Sequence, residues 1–256
     1  MSRSIFLLFF FLLFFTSTSA IIIRHDREDS RYIALGSKYP SYCRINLPDG
    51  GGALIAPEWM LTAAHVAEEI KTFPHKAQCG DVARDVELAF INPDYNETGR
   101  NDIALLKLSA PITEIKPTPI YTERDEAKQI AVLVGHYLTG TGKIGADKKL
   151  KKEMRGATNR IEKTNEHWLY FTFDAPDSNA VTDLEGVSGP GDSGAPAYIT
   201  KGGKLYVAGI GSRSRDANKD GIEPNYGDED LYARVSSYEK WITETMRLRN
   251  NKQAKK

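Results

Sequence analysis

The feature that most limits the fold of this chain is a succession of short apolar segments separated by Gly, Pro, Asn and Asp. About ten such segments follow one another, among them "GALIAP", "WMLTA", "DIALLKL", "LYVAGIGS" and "LYARV". Short apolar runs bounded by turn residues are typical of β-strands. Because no long helical pattern separates them, the sequence predicts an all-β protein built from barrels or sandwiches.

Three segments depart from this strand pattern. The stretch "SSYEKWITETMRL" has a serine cap and then apolar residues at helical spacing, which predicts a C-terminal helix at about 236–248. The charged stretch 142–164 is typical of an exposed loop. The turn-rich stretch "IKPTPIYTERDEAK" at 115–128 indicates the boundary between two halves of the domain.

The first twenty residues have the layout of a secretory signal peptide. One basic residue precedes an unbroken apolar run from Ile5 to Phe15, and small residues follow up to Ala20. A membrane anchor is the alternative, but eleven helical residues at about 1.5 Å each cover about half of a ~30 Å hydrocarbon core. We therefore expect cleavage after Ala20 and a secreted domain at 21–256, extracellular or periplasmic, with no membrane attachment after cleavage.

The charge balance and the two cysteines limit the binding partners and the disulfide bonds that this domain can have. Lys plus Arg number 34 and Asp plus Glu also number 34, so nothing indicates binding to nucleic acid or to an anionic membrane. Cys43 and Cys79 permit one intramolecular disulfide, which would stabilise the fold by about 4 kcal/mol in the chain-entropy model; two buried thiols are the alternative. Asn96 begins an Asn-X-Thr sequon, a glycosylation site if the cell of origin is eukaryotic.

The sequence also contains a stretch that partly matches the ligand pattern of a calcium-binding loop. The stretch "DANKDG", from Asp216 to Gly221, has oxygen ligands at its first, third and fifth positions and glycine at the sixth. The twelfth position, however, is Gly227 instead of glutamate. We expect a solvated turn here and no bound metal.

Three further segments contain residues suited to nucleophilic catalysis. "LTAAH" ends at His65, "NDIALLKL" places Asp102 at the start of an apolar strand, and "GPGDSGAP" places Ser193 in a glycine-rich turn. A serine hydroxyl needs a base to take its proton, and imidazole suits that task near neutral pH. A buried carboxylate fixes the tautomer of that imidazole. Each residue alone has an ordinary structural interpretation, but the three together make a catalytic set.

These segments resemble the signatures of the trypsin/chymotrypsin-like serine endopeptidases, and the resemblance extends from about Ile21 to Leu248. It implies two six-stranded antiparallel β-barrels, at about 21–120 and 121–235, followed by the C-terminal helix. "GIGS" resembles the substrate-binding strand of the family. The resemblance implies no cofactor and no metal.

The resemblance also implies a role for each matching residue. His65 would be the general base, Asp102 the carboxylate that orients it and Ser193 the nucleophile. The backbone N–H groups of Gly191 and Ser193 would form the oxyanion hole, and Ser212 would hydrogen-bond the buried aspartate.

The chain departs from the family pattern at its cysteines and at one glycine. Val66 and Gly50 stand where members usually have a disulfide pair, and the usual disulfides near the specificity pocket are absent from the sequence. Cys43 and Cys79 fall on what should be neighbouring strands of the first barrel, so they supply a different candidate staple. Ala195 replaces a glycine behind the nucleophile, and we expect this added methyl group to be tolerated.

The specificity pocket of the family maps onto Val187, Ser188, Ser214 and Asp230. Val187 stands where trypsin-like members have aspartate, and Ser214 replaces the usual glycine at the entrance. Asp230 falls where the family usually has a pocket-lining glycine, so its carboxylate would receive Lys or Arg of the substrate. The alternatives are an outward-facing Asp230 in an acidic turn and a preference for small or apolar residues.

In this family a new amino terminus often enters the fold and pairs with the aspartate before the nucleophile, here Asp192. Cleavage after Ala20 would create such a terminus at Ile21, without a separate propeptide. The chain lacks the Gly-Gly that usually follows the first two residues, and trimming to Ile22 or Ile23 is an alternative. We hypothesise that signal cleavage itself produces the active amino terminus.

The sequence thus predicts a secreted, monomeric serine endopeptidase that acts on a protein or peptide substrate and is a target for protein inhibitors. A non-catalytic protease-like binding protein is the main alternative, and a hydrolase of esters is a narrower one. All three residues of the predicted triad are present, which favours an enzyme over a binding protein.

Overall fold

In a computed structural model, the structure describes residues 21–45, 50–70, 74–96, 98–137, 139–147 and 153–253. The predicted signal peptide, residues 1–20, lies outside the described residues. The described chain begins with a two-residue strand, β1 (Ile22–Ile23), and a helix, α1 (Asp29–Gly36).

The first half of the domain is a closed six-stranded barrel with strand order β2-β3-β4-β7-β6-β5. Its strands are β2 (Tyr42–Ile45), β3 (Gly50–Ala56), β4 (Trp59–Thr62), β5 (Lys76–Cys79), β6 (Val82–Ile91) and β7 (Ala104–Leu108). All of its strand pairs are antiparallel. A short helix, α2 (Ala64–Glu69), follows β4. Closure of the barrel removes the free strand edges that an open sheet would expose.

The second half contains another closed six-stranded barrel, a small sheet and the C-terminal helix. The strands are β8 (Ile130–Gly135), β9 (Gly140–Thr141), β10 (Gly145–Ala146), β11 (Arg155–Thr164), β12 (Trp168–Thr172), β13 (Gly186–Val187), β14 (Pro196–Lys201), β15 (Lys204–Arg215) and β16 (Glu229–Arg234). The antiparallel barrel has the order β11-β12-β16-β15-β14-β8, and the small sheet has the order β10-β9-β1-β13. A 3₁₀ turn (Val235–Ser237) leads into α3 (Glu239–Gln253). The predicted fold of two barrels and a C-terminal helix is confirmed.

The interpretation of 142–164 as an exposed loop is wrong for its second half. Residues 155–164 form β11, which pairs with both β8 and β12 in the second barrel. Ala157 and Ile161 are buried along it, and Arg155 is 2% exposed because its guanidinium binds Asp29 at 2.6 and 2.7 Å. The sequence did not predict this strand because its charged residues interrupt the apolar pattern. One of them is buried in an ion pair, and others lie on the solvent face of the sheet.

Cys43 and Cys79 form a disulfide that joins β2 to β5, where the two residues are direct partners in the ladder. The prediction of a bond is therefore confirmed, and the alternative of two thiols is excluded. Within the part of the chain that the structure describes, no helix has both the length and the apolar character needed to cross a membrane.

Candidate active site

The first barrel positions His65 and Asp102 against each other. His65 lies in the first turn of α2, three residues after the end of β4, and Asp102 lies two residues before β7, the barrel partner of β4. The Nδ1 atom of His65 is 2.8 Å from Oδ2 of Asp102, and the backbone N–H of His65 donates to Oδ1 at 3.0 Å. Two contacts to one carboxylate fix both the backbone and the ring of the histidine.

Asp102 is buried and well supplied with donors. It is 1% exposed, and the hydroxyl of Ser212 donates to its Oδ2 at 2.5 Å. Burial alone would raise the pKa of Asp102, but the hydrogen bonds from His65 and Ser212 hold this pKa below its ordinary value. The carboxylate is therefore ionised near neutral pH. Ser212, which the sequence placed beside this aspartate, lies there.

The second barrel contributes the turn that carries Ser193. Gly191 has φ +99° and so uses a conformation that favours glycine. Among the described residues, the N–H groups of Gly191 and Ser193 have no hydrogen-bond acceptor. The Ser193 carbonyl accepts the N–H of Gly51 in the first barrel at 2.8 Å. Gly194, at φ +79°, packs so closely on Thr62 that a side chain there would collide with it. The turn is thus held against the segment that leads to His65.

A cleft of about 320 Å³ opens beside Ser193. Three segments line it, namely Ser188, Gly189, Pro190, Asp192 and Ser193; Gly211, Ser212, Arg213 and Ser214; and Glu223 with Pro224. Ser188 and Ser214 therefore lie where the sequence predicted. Val187 does not line this cleft and packs instead with Ile22 and Phe173 in a buried cluster.

Asp230 lies behind the lining of the cleft and is not an outward-facing turn residue. It is 1% exposed, and its Oδ2 accepts the N–H of Ser188 at 2.6 Å and the hydroxyl of Ser188 at 2.7 Å. Its Oδ1 is buried and has no hydrogen-bond partner within the described part of the chain. Burial raises the pKa of Asp230 to about 7. Glu223 lines the cleft and is a second candidate for the acidic group that would receive a basic side chain. The sequence did not predict it, because its loop contains no motif that places it at the cleft.

The beginning of the described chain is threaded through the second half of the domain. Ile21 is fully buried, and the hydroxyl of Thr139 donates to its carbonyl oxygen at 2.7 Å. β1 then pairs antiparallel with β13 and parallel with β9. The missing Gly-Gly is therefore compatible with an inserted strand, since Ile23 continues the pairing.

Asp192 is 1% exposed, and its carboxylate accepts only backbone N–H groups, from His136 at 3.3 Å and from Gly189 at 3.2 Å, among the described residues. Burial raises the pKa of Asp192 well above its ordinary value. A buried carboxylate with two long hydrogen bonds is poorly compensated. This site would favour a cation beside it.

The remaining predicted positions lie at the surface or in loops. Asn96 is exposed, but Glu97 of its sequon lies outside the described residues. In the stretch 216–221, Asp216 and Asp220 accept backbone N–H groups of the same loop. No group of three or more His, Cys, Asp or Glu side chains converges as a metal site within the described ranges. Val66 contacts the position of Gly50, so apolar packing occupies the place of the family's disulfide.

Comparisons with known proteins agree with this architecture. The family described as Trypsin matches residues 36–242. The chain is similar to vitamin K-dependent protein C of Rattus norvegicus, with 29% identity over 217 residues, which cover 75% of this chain and 45% of that protein. The corresponding protein of Mus musculus is 28% identical over 216 residues, with the same coverage. The chain therefore spans about half the length of the curated relatives it matches. The match over most of its length shows that the chain belongs to the trypsin family of serine proteases.

Proposed function

We propose that this protein is an active serine endopeptidase that uses His65, Asp102 and Ser193. The observation that carries the proposal is the buried Asp102 carboxylate, which accepts hydrogen bonds from His65 and from Ser212, a residue that lines the same cleft as Ser193. A charge buried with three donors serves to hold an imidazole in one tautomer. A binding protein has no need of that arrangement.

In the proposed reaction, the Oγ atom of Ser193 attacks the carbonyl carbon of the scissile peptide bond, and His65 takes the hydroxyl proton. The N–H groups of Gly191 and Ser193 donate to the oxygen that becomes negative. His65 then gives the proton to the departing amine, which leaves an acyl-enzyme on Ser193. Water, deprotonated by His65, releases the acid and restores the serine.

The direct test is turnover of peptide and ester substrates by the wild type and by Ser193→Ala. We expect the variant to lose at least about 10³-fold in kcat for both substrates. Ser109→Ala is the matched control, because Ser109 is an exposed serine in the loop after β7. Equal turnover in the wild type and Ser193→Ala, or no turnover in the wild type, would contradict the proposal.

We infer that the cleft accepts a basic side chain, so that cleavage follows Lys or Arg. Two acidic residues support this inference: Asp230 behind Ser188, and Glu223 at the side of the cleft. The hydroxyl groups of Ser188 and Ser214 provide further acceptors. Profiling against a peptide library in which every residue occupies the position before the cleaved bond would test this, and a preference for small or apolar residues would contradict it.

We further propose that the protein is secreted and that removal of residues 1–20 frees an ammonium group at Ile21 that pairs with Asp192. The burial of Ile21, the insertion of β1 between β9 and β13, and the poorly compensated carboxylate of Asp192 support the pairing. Amino-terminal sequencing of the protein from the medium or periplasm tests the cleavage point. A mature terminus upstream of Ile21, or within "RHDRED", would contradict the hypothesis.

A further inference from the structure

Arg213 lines the cleft and is held in place by its neighbours, but it has no role in the proposed reaction. It follows Ser212 on β15, it is exposed, and it lines the same cleft as Ser193. Its Nη1 donates to the carbonyl oxygen of Thr98 at 2.9 Å, and its Cζ lies 5.4 Å from the centre of the Trp168 ring. A hydrogen bond and a cation–π contact therefore hold the guanidinium in place.

The neighbouring loop is shaped around this guanidinium. Gly99 has φ +72°, and a β-carbon added there would overlap an Nη atom of Arg213. The absence of a side chain at position 99 is thus what makes room for the arginine between the loop and Trp168. This arrangement joins strand β15 of the second barrel to the loop before Asp102 in the first.

The charge of Arg213 has no carboxylate partner among the described residues. The next charged residue on the strand, Arg215, differs in this respect, since it lies 3.8 Å from Glu229. Only one of the N–H groups of Arg213 donates to an acceptor in the described structure. A fixed, uncompensated guanidinium beside a cleft is a suitable receptor for a carboxylate.

The strand around Arg213 also has a free edge. β14 pairs with β15 only as far as Ile210, and the Gly211 backbone completes this pairing. Among the described strands, only β16 pairs with β15 from Ser212 to Ser214, so an extended peptide can add to the other edge. A substrate whose scissile carbonyl accepts the N–H groups of Gly191 and Ser193 would then have its preceding residues along Ser212–Ser214, which line the same cleft.

We propose that Arg213 selects substrates with Asp or Glu among the few residues that precede the cleaved bond. This inference rests on the proposed protease function and extends it from one subsite to two: an acidic pocket for the residue before the bond and a cationic receptor further along the amino-terminal side. The favoured substrate therefore has an acidic residue followed closely by a basic one.

The test uses peptides that are identical except for Asp, Asn or Lys at each of the three positions before the arginine that precedes the cleaved bond. At one of these positions we expect kcat/KM of the wild type to be about three- to tenfold higher for Asp than for Asn, because the ion pair is partly exposed. This preference should shrink as NaCl rises from 50 to 500 mM. A ratio near one at all three positions would overturn the proposal.

Variants of Arg213 separate its charge from its shape. The Asp preference should disappear in Arg213→Gln, persist in part in Arg213→Lys, and reverse toward the Lys peptide in Arg213→Glu. Arg215→Gln is the matched control, because it removes the same charge from the same strand outside the cleft, and it should keep the preference. Retention of the full preference in Arg213→Gln would overturn the proposal.

Binding to Ser193→Ala keeps the test independent of turnover. The dissociation constants of the Asp and Asn peptides for this variant should differ by the same three- to tenfold, and Ser193→Ala combined with Arg213→Gln should remove the difference. Equal affinities in Ser193→Ala would overturn the role of Arg213 even if the enzyme cleaves peptides. A difference in binding without any cleavage would support Arg213 and reject the protease proposal alone.

Discussion

The buried carboxylate beside His65 differs from two buried carboxylates of the second half, Asp192 and Asp230, in how far its hydrogen bonds offset the cost of burial. Asp102, next to the first barrel, accepts hydrogen bonds from His65 and Ser212, and its pKa lies below the ordinary value. Asp192 and Asp230, in the second half, are equally buried, but burial raises the pKa of each. Hydrogen bonds outweigh burial only at the first of these three carboxylates, so the other two are sites where a cation from outside would be favoured.

We infer from this difference that the buried carboxylates have two different roles. The compensated carboxylate lies beside His65, where a permanent orientation is needed. Asp192 lines the cleft and Asp230 lies behind Ser188 of its lining, and we propose that the amino group of Ile21 and the substrate supply the cations that these two carboxylates would favour. If this is right, removing the charge of Asp102 should impair catalysis directly, whereas removing the charge of Asp192 or Asp230 should impair the response to an incoming cation.

The largest expected effect comes from removing the compensated charge. Asp102→Asn should lower kcat about 10³- to 10⁴-fold, because an amide no longer selects the productive tautomer of His65. The measurement is steady-state hydrolysis of a peptide between pH 6 and 10. Asp94→Asn, in the exposed loop before Asp102, is the control and should keep full activity. A loss of less than tenfold in Asp102→Asn would show that this carboxylate is not the orienting group.

The next largest effect concerns Asp192 and the start of the chain. A mature protein that retains Ser19 and Ala20 should lose about 10²- to 10³-fold in kcat/KM, since an amide nitrogen at Ile21 cannot carry the charge that Asp192 needs. Asp192→Asn should lose a similar factor. In the chain that retains both residues, Asp192→Asn should cause little further loss, because the pair is already broken. Full activity of the longer chain would exclude the ion pair.

The strand pattern was enough to predict the fold class and most strands of both barrels. It missed β5 and β11, whose sequences mix charged and apolar residues. In β11, the buried guanidinium of Arg155 binds Asp29 of α1, and this contact spans 126 positions in sequence. No local pattern contains that information. The predicted helix likewise begins later than its serine cap indicated, since Val235–Ser237 form a 3₁₀ turn.

The candidate site divides in the same manner. Residues inside recognisable motifs lie close to each other in the structure, where Asp102 contacts both His65 and Ser212. Val187 was assigned to the pocket by its offset from Ser193, yet it faces Ile22 and Phe173. Glu223 was missed, because the loop that brings it to the cleft has a length and path that the flanking motifs do not determine.

A third buried carboxylate in the second half allows a test through stability. Glu185 is fully buried; its Oε2 accepts the N–H of Thr182 at 2.7 Å, while its Oε1 has no hydrogen bond. Burial raises its pKa to about 7. The folded protein therefore holds this proton between pH 4.5 and 7, where the unfolded chain releases it, and the resulting contribution to stability is lost as the pH rises through 7.

Glu185→Gln should consequently increase the free energy of unfolding at pH 8 by on the order of 3 kcal/mol relative to the wild type, and by much less at pH 4.5. The measurement is urea denaturation at both pH values. Glu244→Gln, on the exposed face of α3, is the matched control and should give no pH-dependent difference. An equal effect of Glu185→Gln at both pH values would mean that the buried carboxyl group does not titrate in this range.

The smallest expected effect concerns Asp230 and the choice of substrate. Because burial raises its pKa to about 7, Asp230 is mostly neutral at pH 6 and mostly charged at pH 8. The ratio of kcat/KM for a peptide with arginine before the cleaved bond to that for its uncharged citrulline analogue should therefore rise about tenfold over this range. Any pH dependence that the two peptides share cancels in the ratio. Asp230→Asn should give a low ratio that does not change with pH, whereas Glu223→Gln should lower the ratio at all pH values and retain the rise. A ratio that is constant with pH in the wild type would place the receptor for the cation at Glu223 and leave Asp230 as a structural partner of Ser188.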